Sequence, residues 1–229
     1  MSCKTEEIMD KKQSAKSPED IRKQLVLTGA DIVQLGASGE MLVGGKNYNT
    51  AIISQIKEIQ APHFRAISSV AFHHVLDWND PVINQDPDYL QKFVHQLGKR
   101  VADAQKNSTE TGSTKLRTFI NNVVEGFATS PEGIDQLRKR SVMVQAAILS
   151  VPLPPEVDQA VRSAYRAICK ENEDDMTPVA VRSSAAGEDS RKKAFAGLQD
   201  TFLNMVGEDH VAEAYSWDCA SAYNLRSMT

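Results

Sequence analysis

Residues 178–205, PVAVRSSAAGEDSRKKAFAGLQDTFLNM, constrain the fold more than any other stretch. A short apolar run at 179–181 leads into Arg182, Ser183 and Ser184. A small, charged, glycine-containing loop follows, and a second apolar run spans 201–206. Short apolar runs bounded by turn residues read as strands. The pattern is strand, loop, strand, and it places a guanidinium, two hydroxyls and backbone N–H groups where they can lie over a polyphosphate. Far upstream, Gly44-Gly45-Lys46-Asn47 offers a second turn of close approach, with a lysine at its mouth. The two segments together read as a nucleotide triphosphate site.

The flanking sequence is helix-rich. Ser17-Pro18-Glu19-Asp20 is a helix start, with a serine cap, proline in the first turn and acids beside it. Gly29 is expected to stop that helix, and 31–35 to form a short strand. Gly36, Gly39, Gly44 and Gly45 then read as a flexible connection before a helix over 48–59. Residues 62–69 read as a strand, with Ser68 or Ser69 capping a helix through Val75. Apolar residues at helical spacing mark helices around 90–101 and 116–127. Ser130-Pro131-Glu132 opens a further helix to Ser150, which Val151-Pro152-Leu153-Pro154-Pro155 breaks. Val157, Val161, Ala164, Tyr165 and Ile168 define the next amphipathic helix. An acidic, solvated turn at 171–175 precedes the strand at Val179, and residues from 208 onward read as helical. Residues 106–114 (KNSTETGST) read as an internal loop.

Composition excludes several classes of partner. A net charge of −4 across 229 residues gives no electrostatic basis for nucleic-acid binding. No run of eighteen apolar residues is present, so no membrane-spanning helix is expected. The three cysteines (Cys3, Cys169 and Cys219) are far apart and form no CxxC pair, which points to a reducing compartment without a disulfide framework. Cys169 and Cys219 are expected to pack in helices. The histidines are scattered, so no metal ligands are expected within the chain. A cytoplasmic location follows.

Lys46 supplies a mobile positive charge, and Arg182 a planar fork suited to two phosphate oxygens. The bland alternatives are a solvated lysine after a turn and an arginine paired to Glu188 or Asp189. Gly44 and Gly45 let backbone N–H groups approach an anion. Ser183 and Ser184 either contact phosphate or cap the following turn. Gly197 is either part of a phosphate-covering loop or an ordinary turn glycine. Thr201 is either a hydroxyl donor or a plain strand residue.

The ordered series VGGKN, VAVRSSAAGED and FAGLQDTFLN resembles the N-terminal nucleotide-binding domain of the phosphoenolpyruvate synthase and pyruvate phosphate dikinase family, of which rifampin phosphotransferase is a relative. The resemblance implies an α/β fold of the ATP-grasp type in two lobes with a helix-rich middle. It implies ATP as ligand, with Lys46 and Arg182 on its phosphates and the loop around Gly197 and Thr201 closing over them. It also implies Mg2+, with its ligands outside this chain in a missing C-terminal subdomain. Where the family has Pro-Pro-Gly-Phe, this chain has Ala61-Pro62-His63-Phe64, so its backbone there must avoid positive φ or accept strain.

The expected organisation is a disordered tail (1–16), an N-terminal α/β part (17–85), a helical subdomain (86–175) and a second α/β part (176–229). One lobe would join the N-terminal strands to those after Pro178. The functional expectation is the ATP-binding portion of a dikinase-type phosphotransferase, in which a phosphohistidine on another domain carries the phosphoryl group to pyruvate or another acceptor. Partners would be ATP, the remaining domains of the full enzyme and a homodimer mate covering apolar surface. The alternative is a catalytically inactive nucleotide-sensing or interaction module. The dikinase reading predicts no AMP formation from this 229-residue chain incubated with ATP and pyruvate, and AMP release by the purified chain would contradict it.

Overall fold

The computed structural model describes residues 16–78, 116–124, 131–184 and 200–228. The expected helix at 90–101, the loop at 106–114 and Gly197 lie outside the described residues. At the start, Ser17 caps α1 (Pro18–Arg22), its Oγ accepting from the Asp20 N–H at 3.1 Å. The helix ends after little more than a turn, because the next residues form β1 (Val26–Leu27). This strand pairs antiparallel with β2 (Ala66–Ile67) and buries Leu27 completely.

Gly29 therefore starts a helix, where the sequence reading has it stopping one. Thr28 and Asp31 form a capping box: Thr28 Oγ1 accepts from the Asp31 N–H (3.2 Å), and Asp31 Oδ2 accepts from the Thr28 N–H (3.0 Å). The result is α2 (Gly29–Leu35), which replaces the short strand expected at 31–35. Burial opposes the charged form of Asp31, yet the bonds from Thr28 and the nearby Lys16 hold its carboxyl below the usual aspartate range.

The expected glycine-rich connection is also helical, within α3 (Ala37–Ile53). Gly39 belongs there because α2 lies so close that a Cβ would stand 2.6 Å from the Ile32 carbonyl oxygen. The expected strand at 62–69 contracts to β2, and α4 (Ser69–Asp77) follows. Ser68 holds the N-cap position, but its Oγ donates to the Gln24 carbonyl (2.6 Å) and ties α4 to the chain before β1.

The later helices match their patterns closely. They are α5 (Leu116–Val124), α6 (Pro131–Ser150) and α7 (Pro155–Glu171). In α7, Val157, Val161, Ala164, Tyr165 and Cys169 form the buried stripe that 3.6-residue periodicity requires. Strands β3 (Val179–Arg182) and β4 (Thr201–Met205) pair antiparallel, with Val181 opposite Phe202 and Arg182 opposite Thr201. The chain then continues as α8 (Glu208–Ser221) and α9 (Leu225–Met228).

The described strands thus form two separate two-stranded sheets in a helix-rich α/β chain. The apolar core is likewise divided. Ile21, Leu27, Ile32, Leu35, Val43, Ala51 and Ala66 make one cluster around α2 and α3. The larger cluster draws on α4 to α8, and Val179, Val181 and Met205 of the second sheet pack against it. Among the described residues, the strands after Pro178 pack on the helical cluster and form a sheet separate from β1 and β2.

Tyr165 fastens this sheet to α7. Its hydroxyl donates to the Thr177 carbonyl (3.1 Å) before β3 and accepts from the Gly207 N–H (2.9 Å) after β4. Arg162 bridges Asp158 (2.8 Å) and Asp209 (2.6 Å), and Arg166 pairs with Glu208, so charge also holds α8 to α7. No helix among the described residues is long and apolar enough to cross a membrane. Cys169 and Cys219 are free and buried.

The division between core and surface predicts a large contrast in stability. Ile148, 2% exposed, should lose about 2–5 kcal/mol on replacement by alanine. Leu203, 63% exposed, should change stability by no more than about 0.5 kcal/mol. Urea denaturation of both variants checks this, and equal losses would contradict the packing described.

Candidate phosphate-binding cleft

Helix α3 is kinked at Gly44, whose φ of 75° and ψ of 164° interrupt the helical geometry. A side chain rarely adopts that backbone conformation. The conformation also serves a contact: a Cβ at Gly44 would lie 2.2 Å from the carbonyl oxygen of Ser184. Backbone therefore meets backbone between the GGKN turn and the end of β3. Beside this contact, the Asn47 N–H donates to Ser184 Oγ at 3.2 Å, and Asn47 Nδ2 donates to the Val43 carbonyl at 3.1 Å.

The junction forms part of the wall of a cleft of about 1360 Å³. Gly44, Lys46 and Asn47 line it from α3, and Arg182, Ser183 and Ser184 line it from the end of β3. Lys46 is half-buried, and Arg182 is exposed. Arg182 makes no ion pair with any described carboxylate, and Glu188 and Asp189 lie outside the described residues. Ser183 is 8% exposed and Ser184 half-buried. Gly45 is buried and does not itself line the cleft. Thr201 stands opposite Arg182 in the strand register but does not line the cleft either. Five of the eight residues singled out in the sequence thus line this cleft.

Three residues not singled out in the sequence also belong to this region. Asn47 is one. Arg65 lines the cleft and grips Glu171 with both terminal nitrogens, one of them at 3.1 Å, while it donates to the Phe64 carbonyl at 2.8 Å. The Arg65 hydrogen bonds hold the Glu171 carboxyl below the usual glutamate range, and His63 Nδ1 lies 3.3 Å from it. The acidic turn is therefore anchored at Glu171, in contrast to the solvated reading. Nothing in the sequence pairs positions 65 and 171. None of residues 61–64 has a positive φ.

The arrangement can hold an anion, since two cations and backbone N–H groups border one concave surface. Among the described residues, no three His, Cys, Asp or Glu side chains converge.

Residues 40–229 match the family described as pyruvate phosphate dikinase, AMP/ATP-binding domain, and the chain belongs to that family. Its relatives carry the name phosphoenolpyruvate synthase. A probable phosphoenolpyruvate synthase of Pyrococcus abyssi is 31% identical over 187 residues, covering 81% of this chain and 22% of the relative. The phosphoenolpyruvate synthase of Escherichia coli is 37% identical over 101 residues, covering 44% of this chain and 12% of the relative. A probable phosphoenolpyruvate synthase of Staphylothermus marinus is 38% identical over 94 residues, covering 40% and 11%. The chain therefore spans between about a tenth and about a fifth of the length of these relatives.

The Gly44 contact predicts that Gly44→Ala destabilises the protein by at least about 2 kcal/mol, from backbone strain plus steric overlap. No change of side chain at position 184 should rescue it, because the two nearest obstructing atoms, the Ser184 carbonyl oxygen and carbon, belong to the main chain. Thermal melts of Gly44→Ala alone and combined with Ser184→Gly check this; a wild-type melting temperature in the single variant would refute the contact.

Proposed function

We propose that this chain is the ATP-binding portion of a dikinase-type phosphotransferase. In this reading Lys46 and Arg182, which both line the cleft, hold the ATP phosphates. Gly44 and Gly45 bring the α3 main chain close to the anion, and Ser183 and Ser184 add hydroxyl contacts. Gly197 and Thr201 are secondary candidates for phosphate contact in the same reading. The observation that carries the reading is the junction at Gly44 and Ser184, which brings the two motif segments to one cleft across about 140 positions of sequence.

The full reaction would move the β-phosphoryl group of ATP to a histidine on another domain, the γ-phosphoryl group passing to water as inorganic phosphate and AMP leaving, and the histidine would then pass its phosphoryl group to pyruvate or another acceptor. Names of the relatives support phosphoenolpyruvate synthesis as the setting. Phosphoryl transfer is helped by positioning and by neutralisation of charge on the phosphate oxygens. Within this chain Lys46 and Arg182 serve both ends: they fix the triphosphate and offset its charge. Magnesium would add to this neutralisation of phosphate charge.

The two apolar clusters support a two-lobed, ATP-grasp-type arrangement with the cleft between them. The exposed apolar side chains Met176 and Leu203 favour a covering partner, either the remaining domains of a larger enzyme or a second copy of the chain. Two buried free thiols fit a cytoplasmic setting.

Calorimetric titration with ATP tests the assignment. Lys46→Ala and Arg182→Ala should each weaken binding by about tenfold or more, the range expected for a lost charge-assisted contact. Unchanged affinity in both variants would falsify it.

A further inference from the structure

We propose that Asn47 is the positioning residue of the phosphate site: its side-chain amide takes over the Val43 carbonyl and so frees its own backbone N–H for an oxygen across the cleft. The inference rests on the reading of the cleft as a triphosphate site.

In an uninterrupted α-helix the N–H of residue 47 would bond to the carbonyl of residue 43. Here the kink at Gly44 turns that N–H toward Ser184 Oγ, 3.2 Å away. The Val43 carbonyl would then lack its helical partner, in a residue only 2% exposed. A buried carbonyl without a donor is costly, so a replacement is needed. The replacement comes from the same residue, as Asn47 Nδ2 reaches back to Val43 at 3.1 Å. One asparagine thereby keeps the helix paired at its kink and presents a main-chain donor to the cleft.

The freed N–H is well placed for a phosphate oxygen. It belongs to the first turn after Gly44, where helix N–H groups and the helix dipole favour negative charge, and Lys46 and Arg182 line the same cleft. Ser184 Oγ holds the donor in the ligand-free chain. A hydroxyl that accepts one hydrogen bond can turn aside when a phosphate oxygen takes its place.

The donor reaching four residues back can be varied without changing side-chain shape. Thr50 in the same helix already makes such a bond, its Oγ1 donating to the Lys46 carbonyl at 2.8 Å. Threonine at position 47 can therefore serve Val43, whereas valine, of nearly the same shape, cannot.

The test is titration of the full 229-residue chain with ATP and with inorganic tripolyphosphate. Asn47→Val should bind both about tenfold or more weakly, and Asn47→Thr should stay within about threefold of wild type. Equal affinities for the valine and threonine variants would overturn the role of Asn47 while leaving the cleft assignment intact. Wild-type protein that binds neither probe overturns the phosphate-site reading and this inference with it. Should Asn47→Val fail to fold, amide NMR of the wild type decides: tripolyphosphate must shift the Asn47 backbone resonance, and an unmoved resonance overturns the inference.

Discussion

The close approach of Gly44 to Ser184 is the contact on which the functional geometry depends. A glycine with φ of 75° sits against a carbonyl oxygen so near that no other residue fits without displacement. Everything that makes the cleft chemically interesting follows from this junction. It kinks α3, turns the Asn47 N–H across to Ser184, and brings Lys46 to the same concave surface as Arg182. The sterics are local, but the consequence is long-range, because segments about 140 residues apart are held together.

Packing explains how such a junction persists. The GGKN turn grows out of the smaller apolar cluster, where Val43 and Ala51 are buried on either side of it. The end of β3 is carried by the larger cluster through Val179 and Val181. Tyr165 then fixes both bases of the β3–β4 pair from α7, so Arg182 emerges from a supported strand and not from a free loop. Arg65 and Glu171 add a charged tie between the segment before β2 and the end of α7. Residues packed in both clusters, such as Leu42 and Val161, thus line the same cleft.

How far the sequence was legible depended on whether local or distant forces decided a segment. The helices over 131–150 and 155–171 were readable because proline starts and periodic apolar residues are local signals. The strands at 179 and 201 were readable for the same reason. Residues 29–45 defeat a local reading because glycine there reads as a breaker. Thr28 and Asp31 supply a capping box that starts α2 at Gly29, and Gly39 is helical because α2 and α3 pack almost main chain to main chain. Tertiary contact overrode propensity there. The site shows the same split: Lys46 and Arg182 could be named from their motifs, whereas Asn47, Arg65 and Glu171 act through partners far away in sequence or through a kink that only the fold reveals.

Family membership and geometry meet at one claim, that the cations of the two motifs share a single triphosphate. The most direct measurement is a crystal structure of the chain with a non-hydrolysable ATP analogue. The account predicts phosphate oxygens within hydrogen-bond distance of both Lys46 Nζ and the Arg182 guanidinium, beside the Gly44–Ser184 junction. A nucleotide seated elsewhere, or phosphates touching neither side chain, would contradict it.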